Sequence, residues 1–278
     1  MPTLTRRAAL GALAAAAVAA STTPTHAAPS SRLIDPRWMR QGSDPGPDHG
    51  AWDEILRTHV AVGDDGIARM DYRRVPRPAV EAYIATLAAF DPASLSRDAG
   101  FAYWANLYNA LTVSLVLEAY PVRSIKSVRG GLFNTGPWTE KVVSVAGARL
   151  SLDDIEHGIM RPIWQDPRVH YAVNCAALGC PNLQTKAWIA STLSADLDVA
   201  ARAFVNHPRG AMVTSGRLTV SSIYEWFQAD FGGTDQGVIA HLARHAGPQL
   251  AAQLDGITRI SGDRYDWDVN DLQGARSS

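Results

Sequence analysis

The segment that decides the fold spans residues 100–120 and reads GFAYWANLYNALTVSLVLEAY. Its apolar residues fall on nearly every side of a helix, and a helix that is apolar all round lies in the protein interior. The stretch opens at Ser96-Arg97-Asp98 and ends at Pro121. We therefore predict a long central helix that is buried on all sides.

The segments around this helix mix helical and hairpin patterns without regular alternation. Apolar spacing predicts helices near residues 52–60, 78–88, 151–161, 188–206, 222–231 and 237–254, and hairpins near 139–150 and 212–220. An apolar run at 169–174 has the length of a strand. Irregular mixing disfavours parallel doubly wound and TIM folds. We predict one α+β domain over residues 51–278, with the buried helix packed on a small, mainly antiparallel sheet.

Residues 1–28 have the form of an export signal. Arg6-Arg7 precede an apolar run from Ala8 to Ala20, and a small-residue cleavage site follows at Thr25-His26-Ala27. As a helix the run would measure about 20 Å, too short for a bilayer core of about 30 Å. The arginine pair favours the twin-arginine route. We expect an exported protein, in the periplasm or outside the cell, with residues 29–50 as a mobile or wrapping leader.

Composition narrows the function classes. The chain has 278 residues, 46% of them hydrophobic, with 26 Lys+Arg against 27 Asp+Glu. The high hydrophobic fraction disfavours disorder. The near-equal numbers of basic and acidic residues disfavour a nucleic-acid partner. We expect no membrane span in the mature chain, and no cofactor or metal.

Polar residues interrupt the central helix at Asn106 and Asn109, which lie on one face. Buried amides need hydrogen-bond partners. They are either clamps that hold loops onto the helix or groups that contact a substrate.

A second polar cluster, Asp153-Asp154-Ile155-Glu156-His157, begins a helix capped by Ser151. Asp153 and His157 are four residues apart, so their side chains meet on one helix face. A carboxylate in this position orients a histidine for general-base catalysis. The alternative is a pair that only stabilises the helix.

The third cluster runs from His170 to Pro181 and contains both cysteines of the chain, Cys175 and Cys180. On a strand, His170 and Asn174 would face one side and Cys175 the other. Cys175 would then begin a loop whose free N–H groups lower a thiol pKa and bind an oxyanion. Four interpretations stay open: a catalytic thiol, a Cys175–Cys180 disulfide in oxidising surroundings, a zinc site with His157 and His170 at a non-standard spacing, and inert core cysteines.

Three motifs, in this order, resemble the domain-of-unknown-function 547 family. They are WANLYNALTV at 104–113, LDDIEH at 152–157 with Arg161-Pro162, and HYAVNC at 170–175 with Cys180-Pro181. The resemblance covers about residues 95–230. The chain departs from the family pattern at Tyr103-Trp104, where Phe-Trp is usual.

The resemblance implies a papain-like or transglutaminase-like α+β fold, and hence a thiol hydrolase or acyl transferase. It implies Cys175 as nucleophile, His157 or His170 as base, and Asn106 or Asn174 as polar support. A transglutaminase-like arrangement places the nucleophile at the start of the buried helix. This chain has Asn106 there and no cysteine, which would make it a non-catalytic member.

Two functions follow as hypotheses. In the first, Cys175 attacks a peptide or amide bond in a peptide-like or cell-envelope substrate. His157 takes the proton, Asp153 or Glu156 orients the imidazole, and loop amides hold the oxyanion. In the second, the protein is a non-catalytic envelope domain with a structural Cys175–Cys180 disulfide. Five tryptophans are candidates either to line a groove or to anchor the core: Trp104, Trp138, Trp188, Trp226 and Trp267.

Overall fold

The computed structural model of the chain describes residues 29–129 and 135–274. The predicted export signal, residues 1–28, lies outside the described residues. The segment predicted as a leader, residues 29–50, follows the surface of the domain. It is attached there through a bridge between Asp44 and Leu95.

Helices account for most of the regular structure. In chain order they are α1 (Gly50–His59), α2 (Arg77–Ala88), α3 (Arg97–Ala119), α4 (Leu152–Ile155), α5 (Arg161–Trp164), α6 (Val169–Ala172), α7 (Leu193–Val205), α8 (Ser222–Trp226), α9 (Asp235–His245) and α10 (Pro248–Leu254). A turn of π-helix, Glu156–Met160, joins α4 to α5, so residues 152–164 form one continuous helical rod. Short 3-10 helices lie at Pro36–Met39, Pro92–Ser94, Ile125–Ser127, Ala190–Thr192 and Gln228–Phe231.

Within the described residues, the strands form three small sheets. The strands are β1 (Val60–Val62), β2 (Ala68–Met70), β3 (Val143–Val145), β4 (Ala148–Leu150), β5 (Ala211–Thr214), β6 (Arg217–Ser221) and β7 (Ile260–Arg264). The pairs β1–β2, β3–β4 and β5–β6 are antiparallel, and β7 pairs with β6 in parallel. The α+β class with small, mainly antiparallel sheets is therefore confirmed.

Helix α3 is the predicted buried helix. The Ser96 hydroxyl caps its first turn by accepting from the amide of Ala99. Every residue from 99 to 113 is buried. Its closest neighbours are α2, α4, the π-helical turn and the 3-10 helix Ala190–Thr192. Helices supply this packing because strands of three to five residues cover too little of a helix of 23 residues.

The prediction of a strand at residues 169–174 is wrong, because Val169–Ala172 form helix α6. The cause lies just before it. A turn at Asp166–Arg168 leads into the helix: the Asp166 carboxylate accepts from the amide of Arg168 at 2.8 Å, and the Asp166 carbonyl accepts from the amide of Val169 at 3.0 Å. A short apolar run does not by itself distinguish a buried strand from a buried helical turn.

One continuous hydrophobic core joins the elements, from Trp38 near the start of the described chain to Val269 near its end. The described residues thus form a single α+β domain. None of the helices in this part of the chain has both the length and the apolar character needed to cross a membrane.

Candidate functional site

Cys175 and Cys180 form a disulfide that closes a loop of four intervening residues. Cys175 is partly exposed, whereas Cys180 is only 4% exposed. The amide of Cys175 donates a hydrogen bond to Cys180 Sγ at 3.1 Å. Among the interpretations left open by the sequence, the structure contains the disulfide. One of its cysteines is accessible and the other is enclosed.

Tyr265 reaches both sulfur atoms. Its hydroxyl lies 3.1 Å from Cys175 Sγ and 3.0 Å from Cys180 Sγ. Burial, and next the negative charge of Glu156, raise the pKa of Tyr265. The hydroxyl therefore stays protonated at neutral pH and is available as a hydrogen-bond donor to sulfur.

Four amides of the disulfide loop donate hydrogen bonds within the protein. The N–H groups donate as follows: Ala176 to Asn174 Oδ1, Leu178 to the Asp268 carbonyl, Gly179 to the Asp266 carbonyl and Cys180 to the Ala177 carbonyl. Gly179 permits the close approach of the C-terminal segment, because a Cβ there would lie 2.7 Å from the Asp266 nitrogen. Four of the amides that follow Cys175 are therefore not free to hold an oxyanion.

Arg209 places a positive charge beside the same loop. Its guanidinium donates to the Leu178 carbonyl at 2.7 Å and to the side-chain oxygen of Asn182. Burial lowers the pKa of Arg209 to about 10, which still leaves it charged at neutral pH.

Asparagine side chains fix the backbone on both sides of the loop. Asn109 donates to the Ala172 carbonyl at 2.9 Å and accepts from the amide of Asn174 at 2.8 Å. Asn174 donates to the Pro181 carbonyl at 2.7 Å, which closes the loop at its far end. Asn106 makes both of its hydrogen bonds to the backbone of Trp188. In this structure the three amides act as clamps.

The predicted histidines lie in a separate cluster with three charged partners. His170 Nε2 donates to Asp230 Oδ2 at 2.7 Å, and its Nδ1 lies 3.5 Å from Glu156 Oε1. Arg161 Nε donates to the same Asp230 oxygen at 2.6 Å. Arg161 Nη1 lies 3.1 Å from His157 Nδ1. We call these five residues the histidine–acid cluster.

The helical rod of residues 152–164 positions this cluster. It begins with a capping box, in which the Ser151 hydroxyl accepts from the Asp154 amide and the Asp154 carboxylate accepts from the Ser151 amide. Asp153 Oδ1 then lies 3.7 Å from His157 Nε2. The Asp153–His157 approach expected from the spacing is present, at a distance longer than a hydrogen bond.

Mutual contacts keep both acids of the cluster ionised. Burial alone would raise the pKa of Glu156, but His157, the hydrogen bond to His170 and Arg161 lower it to about 2. Burial also opposes ionisation of Asp230, and hydrogen bonds from His170 and Arg161 lower its pKa to about 2.

The pKa values of the two histidines shift in opposite directions. Burial lowers the pKa of His157 to about 4, so its ring is neutral near pH 7 and Nδ1 can accept from Arg161. Burial also disfavours charge on His170, but the hydrogen bonds to Asp230 and Glu156 outweigh it and raise its pKa. Outside the cluster, burial and the charge of Glu156 raise the pKa of Asp153 to about 6.

The structure thus divides the predicted catalytic residues between two sites. Within the described residues, no hydrogen bond joins His157 or His170 to the sulfur of Cys175. Glu156 connects the two sites electrostatically, because its charge acts on Tyr265 and also on Tyr108.

Partly exposed aromatic rings extend between the two sites. Phe227 stacks on His170 with ring centroids 4.5 Å apart. Trp226 follows and lies 4.8 Å from Tyr265. Trp267 lies 5.5 Å from Trp226, and Trp138 lies 5.7 Å from Trp267. Of the five tryptophans considered, Trp138, Trp226 and Trp267 are partly exposed and belong to this row of rings. Trp104 and Trp188 are buried in the core.

Sequence reasoning did not select Tyr265, Asp230 or Arg209 as site residues. Tyr265 and Asp230 lie 90 and 60 residues from the side chains that they contact. Arg161 lies next to Pro162 in one of the motifs that carry the family resemblance, and its place in that motif could have marked it as a site residue. In the part of the chain that the structure describes, no three or more His, Cys, Asp or Glu side chains are grouped so as to hold a metal ion.

Comparison with known families supports the resemblance. The family model described as "Protein of unknown function, DUF547" matches residues 92–205. The match covers α3, the helical rod and the disulfide loop. No curated protein and no solved structure matches the chain.

Proposed function

The chain carries a DUF547 family domain over residues 92–205, and from the site in this domain we propose thiol–disulfide exchange through Cys175 and Cys180. The observation that carries the proposal is the asymmetry of the disulfide. An accessible Cys175 is bonded to an enclosed Cys180, and Tyr265 places a hydroxyl donor within 3.1 Å of both sulfurs.

The exchange balances with a dithiol of a protein or peptide as the second reactant. A thiolate of that partner attacks Cys175 Sγ, the bond to Cys180 breaks, and its electron pair leaves on Cys180 Sγ. The Cys175 amide and the Tyr265 hydroxyl donate to the new thiolate. The partner's second thiolate then attacks the partner's own sulfur in the mixed disulfide and releases Cys175. The partner loses two electrons and two protons, and the cysteine pair gains them.

The hydrolase or acyl transferase expected from the resemblance stays a prediction with less geometric support. It needs a base beside Cys175 and free amides after it. Both histidines instead contact Arg161 or carboxylates, and the amides of Ala176, Leu178, Gly179 and Cys180 are occupied.

A purely structural disulfide is the second candidate, favoured by the hydrogen bonds that the amides of Ala176, Leu178, Gly179 and Cys180 make within the protein. Closing such a short loop stabilises a fold by only about 2 kcal/mol in the chain-entropy model.

Two single-cysteine variants of the full chain test the exchange. Cys180→Ser leaves the accessible cysteine, and Cys175→Ser leaves the enclosed one. With glutathione disulfide at neutral pH, we expect Cys180→Ser to form a mixed disulfide at least about tenfold faster, measured by intact-mass spectrometry, because a buried sulfur is hard to reach.

The rate at which dithiothreitol reduces the wild-type disulfide can overturn the exchange proposal. If the folded chain is reduced by dithiothreitol only at the rate at which it unfolds in the same buffer, the disulfide is structural and the exchange proposal is overturned. Rapid reduction without loss of the circular dichroism signal supports exchange.

The proposal includes export, which would place the cysteine pair in an oxidising compartment. Its support is the pattern of residues 1–28, with Arg6-Arg7 before the apolar run. In a bacterial host, Arg6→Lys with Arg7→Lys should retain the chain in the cytoplasm. Detection of an uncleaved wild-type chain in the cytoplasmic fraction alone would overturn this part.

A further inference from the structure

Pro162 leaves two backbone carbonyls of the helical rod without their usual donors. In π-helical spacing, the His157 carbonyl would accept from residue 162, and in α-helical spacing the Gly158 carbonyl would do so. Proline has no N–H. The π-helical turn therefore presents a pair of adjacent acceptors along one side.

The chain's own N-terminal segment occupies these acceptors. The amide of Arg32 donates to the His157 carbonyl at 3.1 Å, and the amide of Ile34 donates to the Gly158 carbonyl at 3.1 Å. Two amides of the segment, two residues apart, thus bind two adjacent carbonyls of the turn.

A side-chain seat and a cationic group complete the arrangement. Ile34 lies over Gly158, where a Cβ would come within 2.6 Å of the isoleucine Cγ2. Arg161 Nη1 donates to the Pro29 carbonyl at 2.8 Å. The same guanidinium belongs to the histidine–acid cluster, so the segment covers that cluster from one side.

We infer that the turn Glu156–Arg161 is the floor of a peptide-binding groove, and that residues 29–35 occupy it as an internal ligand that a peptide in trans displaces. The ligand is a peptide with a branched aliphatic residue over Gly158, free amides at that residue and two positions before it, and a carbonyl for Arg161. This binding is independent of the proposed disulfide exchange.

The internal segment is weakly held compared with the chain that follows it. Ile34 is 48% exposed, and most of residues 29–35 are exposed. Downstream, Trp38 is buried against Trp104 and the amide of Gly42 donates to the Leu95 carbonyl at 2.8 Å. Residues 29–35 can therefore leave the groove while the remaining fold stays attached.

The test uses the full chain and a fluorescent peptide with the sequence of residues 29–35, PSSRLID. Arg32→Pro with Ile34→Pro removes both main-chain donors and releases the internal segment. A tethered ligand competes at an effective concentration of about 1 mM. We expect the released variant to bind the peptide at least about tenfold more tightly than wild type in fluorescence anisotropy.

The same peptide with proline at the Ile34 position is the matched control, and it should bind neither protein. In the wild-type chain, excess PSSRLID should also speed hydrogen exchange at the Arg32 and Ile34 amides, a measurement that needs no variant. Equal affinity for both proteins, or no binding to a folded released variant together with unchanged exchange in wild type, overturns the inference.

Discussion

The disulfide loop and the histidine–acid cluster both lie in the DUF547 match or contact it, yet they are stabilised differently. The loop is held mainly by neutral groups, namely backbone amides, Asn174 and the hydroxyl of Tyr265, with Arg209 as its one described charged partner. The cluster is held by charge, with Arg161 and His170 sharing one oxygen of Asp230. The histidines that would serve a cysteine nucleophile are thus bonded to Arg161 or to a carboxylate, while the sulfurs face a donor suited to a thiolate.

The largest expected effect is the loss of folding stability when a buried ion pair is broken, compared with the loss when an exposed pair is broken. Arg161 has 4% of its side chain exposed, so Arg161→Ala removes a buried guanidinium from Asp230 and should destabilise the fold by about 3–5 kcal/mol. Arg77→Ala breaks a pair with Glu81 in which both side chains are nearly half exposed, and should cost less than about 1 kcal/mol. Urea unfolding measures both. Equal losses would contradict the buried-network description.

The second largest effect is expected from removing the uncharged Asn174 side chain that holds the disulfide loop. Asn174→Ala removes the acceptor of the Ala176 amide and the donor to the Pro181 carbonyl, for a loss of about 2–4 kcal/mol. Gln236→Ala, which loses one exposed hydrogen bond to the Thr258 carbonyl, is the control and should change stability by less than about 0.5 kcal/mol. An Asn174→Ala variant as stable as the control would show that the loop does not depend on this amide.

The charged region should also respond to pH through Asp153. Its folded pKa is raised to about 6 from 3.8, so the folded state binds the proton more tightly than the unfolded state. Its protonated form therefore favours folding at low pH, and this contribution is lost as the pH rises from about 4 to 6. Asp153→Asn should gain about 2 kcal/mol relative to wild type between pH 4 and pH 7, by urea unfolding. A difference independent of pH would contradict the raised pKa.

The smallest expected effect concerns the sulfur donor. Tyr265→Phe keeps the ring against Trp226 but removes the hydroxyl, which should slow reduction of the disulfide by dithiothreitol about fivefold, equivalent to about 1 kcal/mol. Tyr103→Phe loses a buried hydrogen bond to the Leu87 carbonyl, far along the chain from the cysteines, and should leave the reduction rate unchanged. If both variants slow reduction equally, the hydroxyl has no specific role at the sulfurs.

Local patterns predicted much of the fold. The buried helix α3 follows from its all-round apolar pattern and its cap, and the hairpins β3–β4 and β5–β6 lie where alternation placed them. The prediction of a strand at 169–174 is wrong because a short, mostly apolar run fits either a strand or a buried helical turn. Apolar periodicity and helix caps involve residues that are close in sequence, and for this reason they can be recognised without the structure.

The candidate site was predictable as a set of residues and not as a set of contacts. Cys175, His157, His170, Glu156 and Asp153 were all named from motifs, and spacing on a helix correctly brought Asp153 toward His157. Nothing in local spacing indicates that His170 bonds Asp230, or that Tyr265 lies on the disulfide. These pairs come from segments far apart in the chain.

From the order of its residues alone, this chain specifies a buried helix, its caps and hairpins, and two cysteines close enough to bond. Those features depend on backbone preferences and on apolar periodicity over one or two turns. Which side chains accept the protons of the histidines, which hydroxyl meets the sulfurs, and which segment covers the π-helical turn depend on how distant elements pack together. Packing decides them because buried charges and donors must find partners wherever the assembled core brings them.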